Sequence, residues 1–167
     1  MEKEKKAPTQ PQAEAPQQKK KVAVKRKPPK SKARVVTSKS KRKEAIARAY
    51  IKAGNGSLRI NGVDLNAITN VGFKRIVTEP LALFDSAKQM ANKLDIRVNV
   101  RGGGTSAQAH ATRGAIAKGL VAYSEGSELK SAYLAYDRSL LIDDPRRVEP
   151  KKYKGPKARA RFQKSYR

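Results

Sequence analysis

Cysteine is absent from the 167 residues, which removes disulfides, thiolate metal sites and cysteine nucleophiles together. Histidine occurs once, at His110. With no second imidazole and no thiol, a transition-metal site has too few ligands, and a Ser-His-Asp triad could be built only around this one ring. No serine stands in a nucleophile-elbow context. No apolar run approaches the roughly 18 residues of a membrane span, and the first thirty residues hold neither the apolar segment of a secretory signal nor the amphipathic period of a mitochondrial presequence. The expectation is a soluble, intracellular chain. Acids are the remaining scarcity: 14 Asp and Glu stand against 39 Lys and Arg, for a formal net charge of +25.

That charge is segregated. Residues 1–43 carry sixteen basic and three acidic groups, residues 44–145 thirteen and ten, and residues 146–167 ten and one. A nearly neutral body of about a hundred residues, long enough to bury a modest core, therefore bears two basic arms. Arms that repel themselves in isolation point to a polyanionic partner, most simply nucleic acid. Residues 1–37 are built from Lys, Pro, Gln and Ala, a composition that cannot fold alone and is expected to be disordered or to order on RNA.

The pattern of the body, residues 38–148, predicts an α+β fold. Structure is expected from near Lys41, with Ala45–Lys52 as a strand, Gly54-Asn55-Gly56 as a turn and Ser57–Asn61 as the strand's hairpin partner, closed by Asn61-Gly62. Asp64 is placed to cap a short helix through Ile68, and Thr78 a second one with Glu79 and Pro80 in its first turn. Asp95–Arg101 alternates over seven residues, so Ile96, Val98 and Val100 face a core while Asp95, Arg97, Asn99 and Arg101 face solvent or RNA. Thr105-Ser106 is expected to cap a long helix to about Ser124, with Ala109, Ile116, Ala117, Leu120 and Tyr123 as its buried stripe. Gly114 and Gly119 each cost a helix interior about 1 kcal/mol, which implies close packing there. Ser127 is expected to cap a last helix carrying Leu129, Tyr133 and Tyr136, and Arg146-Arg147-Val148 is a candidate final strand.

Gly102-Gly103-Gly104 between a strand and a helix suggests a phosphate cradle. Neither nucleotide template fits, however, because Ala107 occupies the position where both would need a further glycine. A plain turn and an RNA-phosphate contact remain open. His110 and Arg113 share a side of the long helix and could equally meet a phosphate or be surface residues with no role. Asp143 and Asp144, beside Pro145-Arg146-Arg147, read as a charge-compensated turn rather than a magnesium site.

The ending, 149–167, pairs composition with spacing. Lys151, Lys152, Lys154, Lys157, Arg159, Arg161 and Lys164 can neutralise phosphates, Arg in bidentate fashion. In an extended chain Arg159 and Arg161 would point to one side. Tyr153, Phe162 and Tyr166 can stack on unpaired bases, which favours structured RNA over smooth duplex DNA. A DNA-compacting basic protein and an ATP-binding small-molecule kinase are the rival readings.

Arg101-Gly102-Gly103-Gly104 with Gln108-Ala109, Tyr136-Asp137-Arg138, Asp144-Pro145-Arg146-Arg147 and the ending Ala158–Arg167 closely resemble small-subunit ribosomal protein nine in its archaeal and eukaryotic form. Ser38–Ala49 and Arg59-Ile60-Asn61-Gly62 match that family's opening, and the likeness runs over about residues 36–167. The resemblance implies a two-layer α/β sandwich like the second domain of ribosomal protein five, with a basic extended C-terminal tail. It implies a non-catalytic, cytoplasmic ribosomal constituent with no cofactor, no membrane and no small-molecule substrate. Its partners would be small-subunit ribosomal RNA, peptidyl-site tRNA and neighbouring proteins of the subunit head. The expected RNA contacts are Lys41, Arg42, Lys43, Arg101, Gly102, Gly103, Gly104, Gln108, Arg113, Arg146, Arg147 and the tail cations through Arg161. Carried over from the family, Arg167 is the tRNA contact, supported by Lys164 and Tyr166.

Overall fold

A computed structural model describes residues 34–165. Its order of elements is β1 (Val35–Arg42), β2 (Ala45–Ala53), β3 (Leu58–Ile60), β4 (Val63–Asp64), a 3₁₀ turn (Leu65–Ala67), α1 (Val71–Ala82), α2 (Asp85–Ala91), β5 (Leu94–Arg101), α3 (Thr105–Ser124), α4 (Ser127–Tyr136) and a second 3₁₀ turn (Arg138–Leu140). The strands form one sheet in the order β1-β2-β5-β3-β4. The class is mixed α/β, as expected.

Three local expectations are corrected. First, β1 begins at Val35 and pairs antiparallel with β2 from Val35↔Lys52 to Arg42↔Ala45, so regular structure starts six residues before Lys41. Lys39, Lys41 and Arg42 disguise this strand, because its second half is cationic and Ser40 takes an inward place.

Second, β2 and β3 are not a hairpin. β5 lies between them, antiparallel to β2 and parallel to β3. The Asp95 carboxylate accepts hydrogen bonds from Asn55 N (3.0 Å) and from Ser57 Oγ (2.9 Å) and N (3.4 Å). These bonds draw the 54–57 loop over the start of β5 and deliver β3 to its far edge. They also hold the Asp95 carboxyl below the usual range, the Asn55 amide first and the Ser57 hydroxyl next. Asn61-Gly62 does form a tight turn, from β3 to β4, with φ of 50° and 86°, the left-handed pair such turns require. The Asn61 side chain then extends the β3–β5 ladder, accepting from Val100 N (2.8 Å) and donating to Val100 O (3.1 Å).

Third, the helix starts move. Asn70 caps α1 by accepting from Phe73 N at 2.9 Å. Thr78 lies inside that helix and donates back to Lys74 O at 2.7 Å, the alternative use of a hydroxyl that makes Thr an ambiguous start signal. Gly104 and Gly126, not Thr105-Ser106 and Ser127, are the caps of α3 and α4, and neither supplies a side-chain cap bond. Residues 146–148 form no strand.

The helices cover one face of the sheet. Ala45, Ala47, Ala49 and Ile51 of β2 and Leu94, Ile96, Val98 and Val100 of β5 are buried against Ala111, Ala115, Ile116, Ala117 and Leu120 of α3. Alanines on both sides bring α3 close to the strands. A Cβ on Gly119 would lie 2.5 Å from Ile51 Cδ1, and one on Gly114 2.5 Å from Ser40 Oγ. The two helical glycines therefore purchase contact with the sheet. Each fully buried Ile or Leu contributes about 1.5–3 kcal/mol, and Tyr133 adds a ring edge-on to Phe84 and a hydroxyl that donates to Pro80 O at 2.5 Å. Among the described residues the other sheet face carries no helix, and its side chains alternate outward along β2 and β5.

Candidate nucleic-acid interface

The expected RNA-binding residues come together at one end of the domain. Lys41 and Arg42 end β1 and Lys43, at φ 52°, begins the β1–β2 turn. The β5–α3 turn lies directly against it, since Gly102 and Gly103 have φ of 77° and 65° and a Cβ on Gly102 would sit 2.5 Å from Glu44 O. Glycine is thus required both for backbone handedness and for the approach of the two turns. Gln108 closes the second turn by donating Nε2 to Gly102 O at 3.2 Å. The first amides of α3 have no side-chain cap, which leaves donors and the positive end of a twenty-residue helix beside this cluster.

The chain after α4 is pinned to the same end. Asp143 accepts from Lys118 Nζ (2.6 Å), Ser40 Oγ (2.7 Å) and Lys41 N (3.3 Å). Its burial alone would raise the carboxyl's pKa, yet the bonds from Lys118, Ser40 and Lys41 outweigh that and lower it. Asp144 pairs with Arg42 and with Arg146, the latter at 2.7 Å. Arg147 donates to Asp144 O (3.1 Å) and Arg146 O (3.0 Å). The two acids make the charge-compensated turn at the root of the tail, where Arg146 and Arg147 are exposed.

The tail is not extended throughout. Arg159 turns back on Glu149 through two bonds, Nε–Oε2 at 2.9 Å and Nη2–Oε1 at 2.6 Å, and this pairing lowers the Glu149 carboxyl. Gly155 is buried inside the loop so closed, and Arg161 Nη1 reaches Tyr153 O at 3.4 Å. Arg159 and Arg161 therefore do not project to one side of an extended strand. The loop leaves Lys151, Lys152, Lys154, Lys157 and Lys164 exposed, with Tyr153 and Phe162 88% and 66% accessible. Tyr166 and Arg167 lie outside the described residues.

Arg113 lines the same recess as Lys41, Arg42 and Arg146, but its guanidinium is committed to internal partners. It is buried between α1 and the second 3₁₀ turn, with Nη1 on Glu79 Oε2 (2.7 Å) and Nη2 on Asp137 Oδ2 (2.8 Å) and Ser139 Oγ (2.5 Å). An internal clamp replaces the expected phosphate contact. Its neighbour His110 is held below its ordinary pKa by burial first and then by the charges of Arg113 and Arg42, so the ring is neutral at pH 7. What sequence reasoning missed is Lys118 as the partner of Asp143, and the full set of cations that β1, β2 and β5 align on the open sheet face. Strand alternation signalled the latter for β5 alone.

Residues 40–167 match the protein family described as "Ribosomal protein S9/S16". The chain is 48% identical over 140 residues to "Small ribosomal subunit protein uS9" of Dictyostelium discoideum, covering 80% of this chain and 94% of that protein. It is 50% identical over 134 residues to the protein of the same name from Candida glabrata, covering 76% and 92%. With that from Desulfurococcus amylolyticus it shares 48% over 136 residues, covering 81% and 95%. The family match runs through the body, the paired turns and the basic ending alike, and the chain belongs to the ribosomal protein S9/S16 family.

Proposed function

We propose that this protein is a non-catalytic constituent of the small ribosomal subunit that holds folded ribosomal RNA by charge neutralisation and stacking. The observation that carries the reading is the convergence of Lys41–Lys43, Arg101–Gly104, Arg146-Arg147 and the root of the tail at one end of the domain. Backbone amides, guanidinium groups and ammonium groups share that end, and exposed rings follow on the tail, a combination suited to phosphates and unstacked bases together. Neighbouring proteins of the subunit head are the further partners, and the cytoplasm is the compartment. The tail runs toward the peptidyl-site tRNA, with Arg167 as its contact and Lys164 and Tyr166 in support.

The test is reconstitution. Small subunits assembled with the full chain or with a chain lacking Arg167 are compared for tRNA affinity in the peptidyl site and for reading-frame fidelity. Loss of Arg167 weakens tRNA retention while the domain melts at an unchanged temperature, because the buried core runs from Ala45 to Leu140. Unchanged tRNA affinity and fidelity would refute the tail assignment. Preferential retention on duplex DNA over subunits after a high-salt wash would favour a DNA-compacting role instead.

A further inference from the structure

The sheet face turned away from the helices carries a grid of cations outside the paired turns. Register places them in rows. Lys39, Arg48 and Asn99 lie side by side across β1, β2 and β5; Lys41, Ile46 and Arg101 form the row on one side; Thr37, Tyr50, Arg97 and Arg59 form the row on the other. Neighbours across the strands are about 4.8 Å apart and alternate residues along them about 6.7 Å. Among the described residues, Lys39, Lys41, Arg48, Arg97 and Arg101 have no carboxylate partner, while Arg59 and Lys52 at the margin pair with Asp64 and Asp95. Like charges on facing strands oppose sheet formation, so this face is best relieved by an anion laid over several strands. Two recesses, of about 540 and 210 Å³, open on either side of Tyr50 and Asn99, which line both.

We propose that this open sheet face seats a segment of folded RNA. Its sugar-phosphate backbone crosses Lys39, Arg48, Arg97 and Arg101, and an unstacked base or ribose meets Tyr50 and Asn99. The inference deepens the ribosomal reading and rests on it. The occupant follows from the chemistry of the face. The core of a protein interface is generally depleted of charge, whereas here the unpaired Arg48 and Arg97 stand at the centre with Tyr50 and Asn99, and Val35 is exposed at the margin. An aromatic face and an amide that both donates and accepts suit a base edge or a 2′-hydroxyl. Arg101 and Lys41 also join the face to the glycine turn and the β1–β2 turn, so one RNA can run from the turns onto the sheet.

The absence of cysteine permits a site-directed test on the full chain. Thr37→Cys, carrying a photoactivated crosslinker, is reconstituted into small subunits, and the expected adducts fall on ribosomal RNA. Adducts on protein alone, or none, in subunits that incorporate the variant normally would overturn the face assignment. In parallel, Arg48→Ala/Arg97→Ala is titrated with a small-subunit ribosomal RNA transcript across a salt series. Its log-log salt slope is expected to fall by about 2, with the melting temperature unchanged. The pair Lys88→Ala/Lys130→Ala on the helical layer is expected to leave the slope nearly as it was. Equal slopes for the parent and the Arg48/Arg97 pair would also overturn the inference. A parent chain that neither bound the transcript nor entered subunits would remove the ribosomal reading itself.

Discussion

Replacing Arg113 by methionine keeps an unbranched side chain in the α1–α3 seam but leaves Glu79 and Asp137 without their shared cation. Breaking a buried pair by removing one partner costs about 3–5 kcal/mol. Here the guanidinium is 11% exposed, but Glu79 and Asp137 are 26% and 34% exposed and can take up water. The cost should therefore be near about 2–3 kcal/mol, or a drop in melting temperature of roughly 10 °C for a domain of this size. Urea and thermal unfolding of the full chain read it directly. The pH dependence adds a second check. Burial would raise the Asp137 carboxyl, but hydrogen bonds from Ser139 and then the Arg113 charge lower it. A depressed carboxylate stabilises the fold above its unfolded pKa, and that stability is lost as pH falls through the folded value. The gap between parent and Arg113→Met should therefore close at acid pH. Affinity for RNA at fixed salt should change little and the salt slope not at all. A variant that melted like the parent but lost about one unit of salt slope would show that Arg113 is a phosphate contact and that the clamp is wrong.

Gly102→Ala forces a side chain into a left-handed residue and against Glu44 O; a loss of at least about 1–3 kcal/mol is expected, measured by denaturant unfolding, and a neutral result would refute the packing of the two turns. His110 has a folded pKa below its unfolded value, so stability should decline as pH drops below about 6.5 and level off below the folded pKa. His110→Asn should flatten that stretch of the profile, and an identical profile would exclude His110 as its source. Asp143→Asn keeps the shape but weakens the bonds from Lys118, Ser40 and Lys41. It should destabilise by about 1–2 kcal/mol and speed proteolysis between residues 143 and 150, whereas unaltered cleavage would mean that this carboxylate does not pin the tail.

The sequence by itself determined the segregation of charge, the β5 and α3 segments, the exclusion of cysteine and multi-histidine chemistry, and the residues by which the family was recognised. These are local or compositional properties: an alternating strand such as Asp95–Arg101 carries its own burial pattern, and a missing residue type is missing in every fold. Strand partnership was decided only by the tertiary structure. The 54–57 loop looks like a hairpin turn, but it is captured by Asp95, forty residues from Asn55, and no short-range pattern encodes that bond. The role of Arg113 was decided in the same way, since its acids come from α1 and from the end of α4. A cation at that helical position reads as surface until Glu79 and Asp137 are seen to enclose it. The open sheet face depends on register as well as on alternation, because Lys39, Arg48 and Arg97 come together on one face only when β1, β2 and β5 lie side by side.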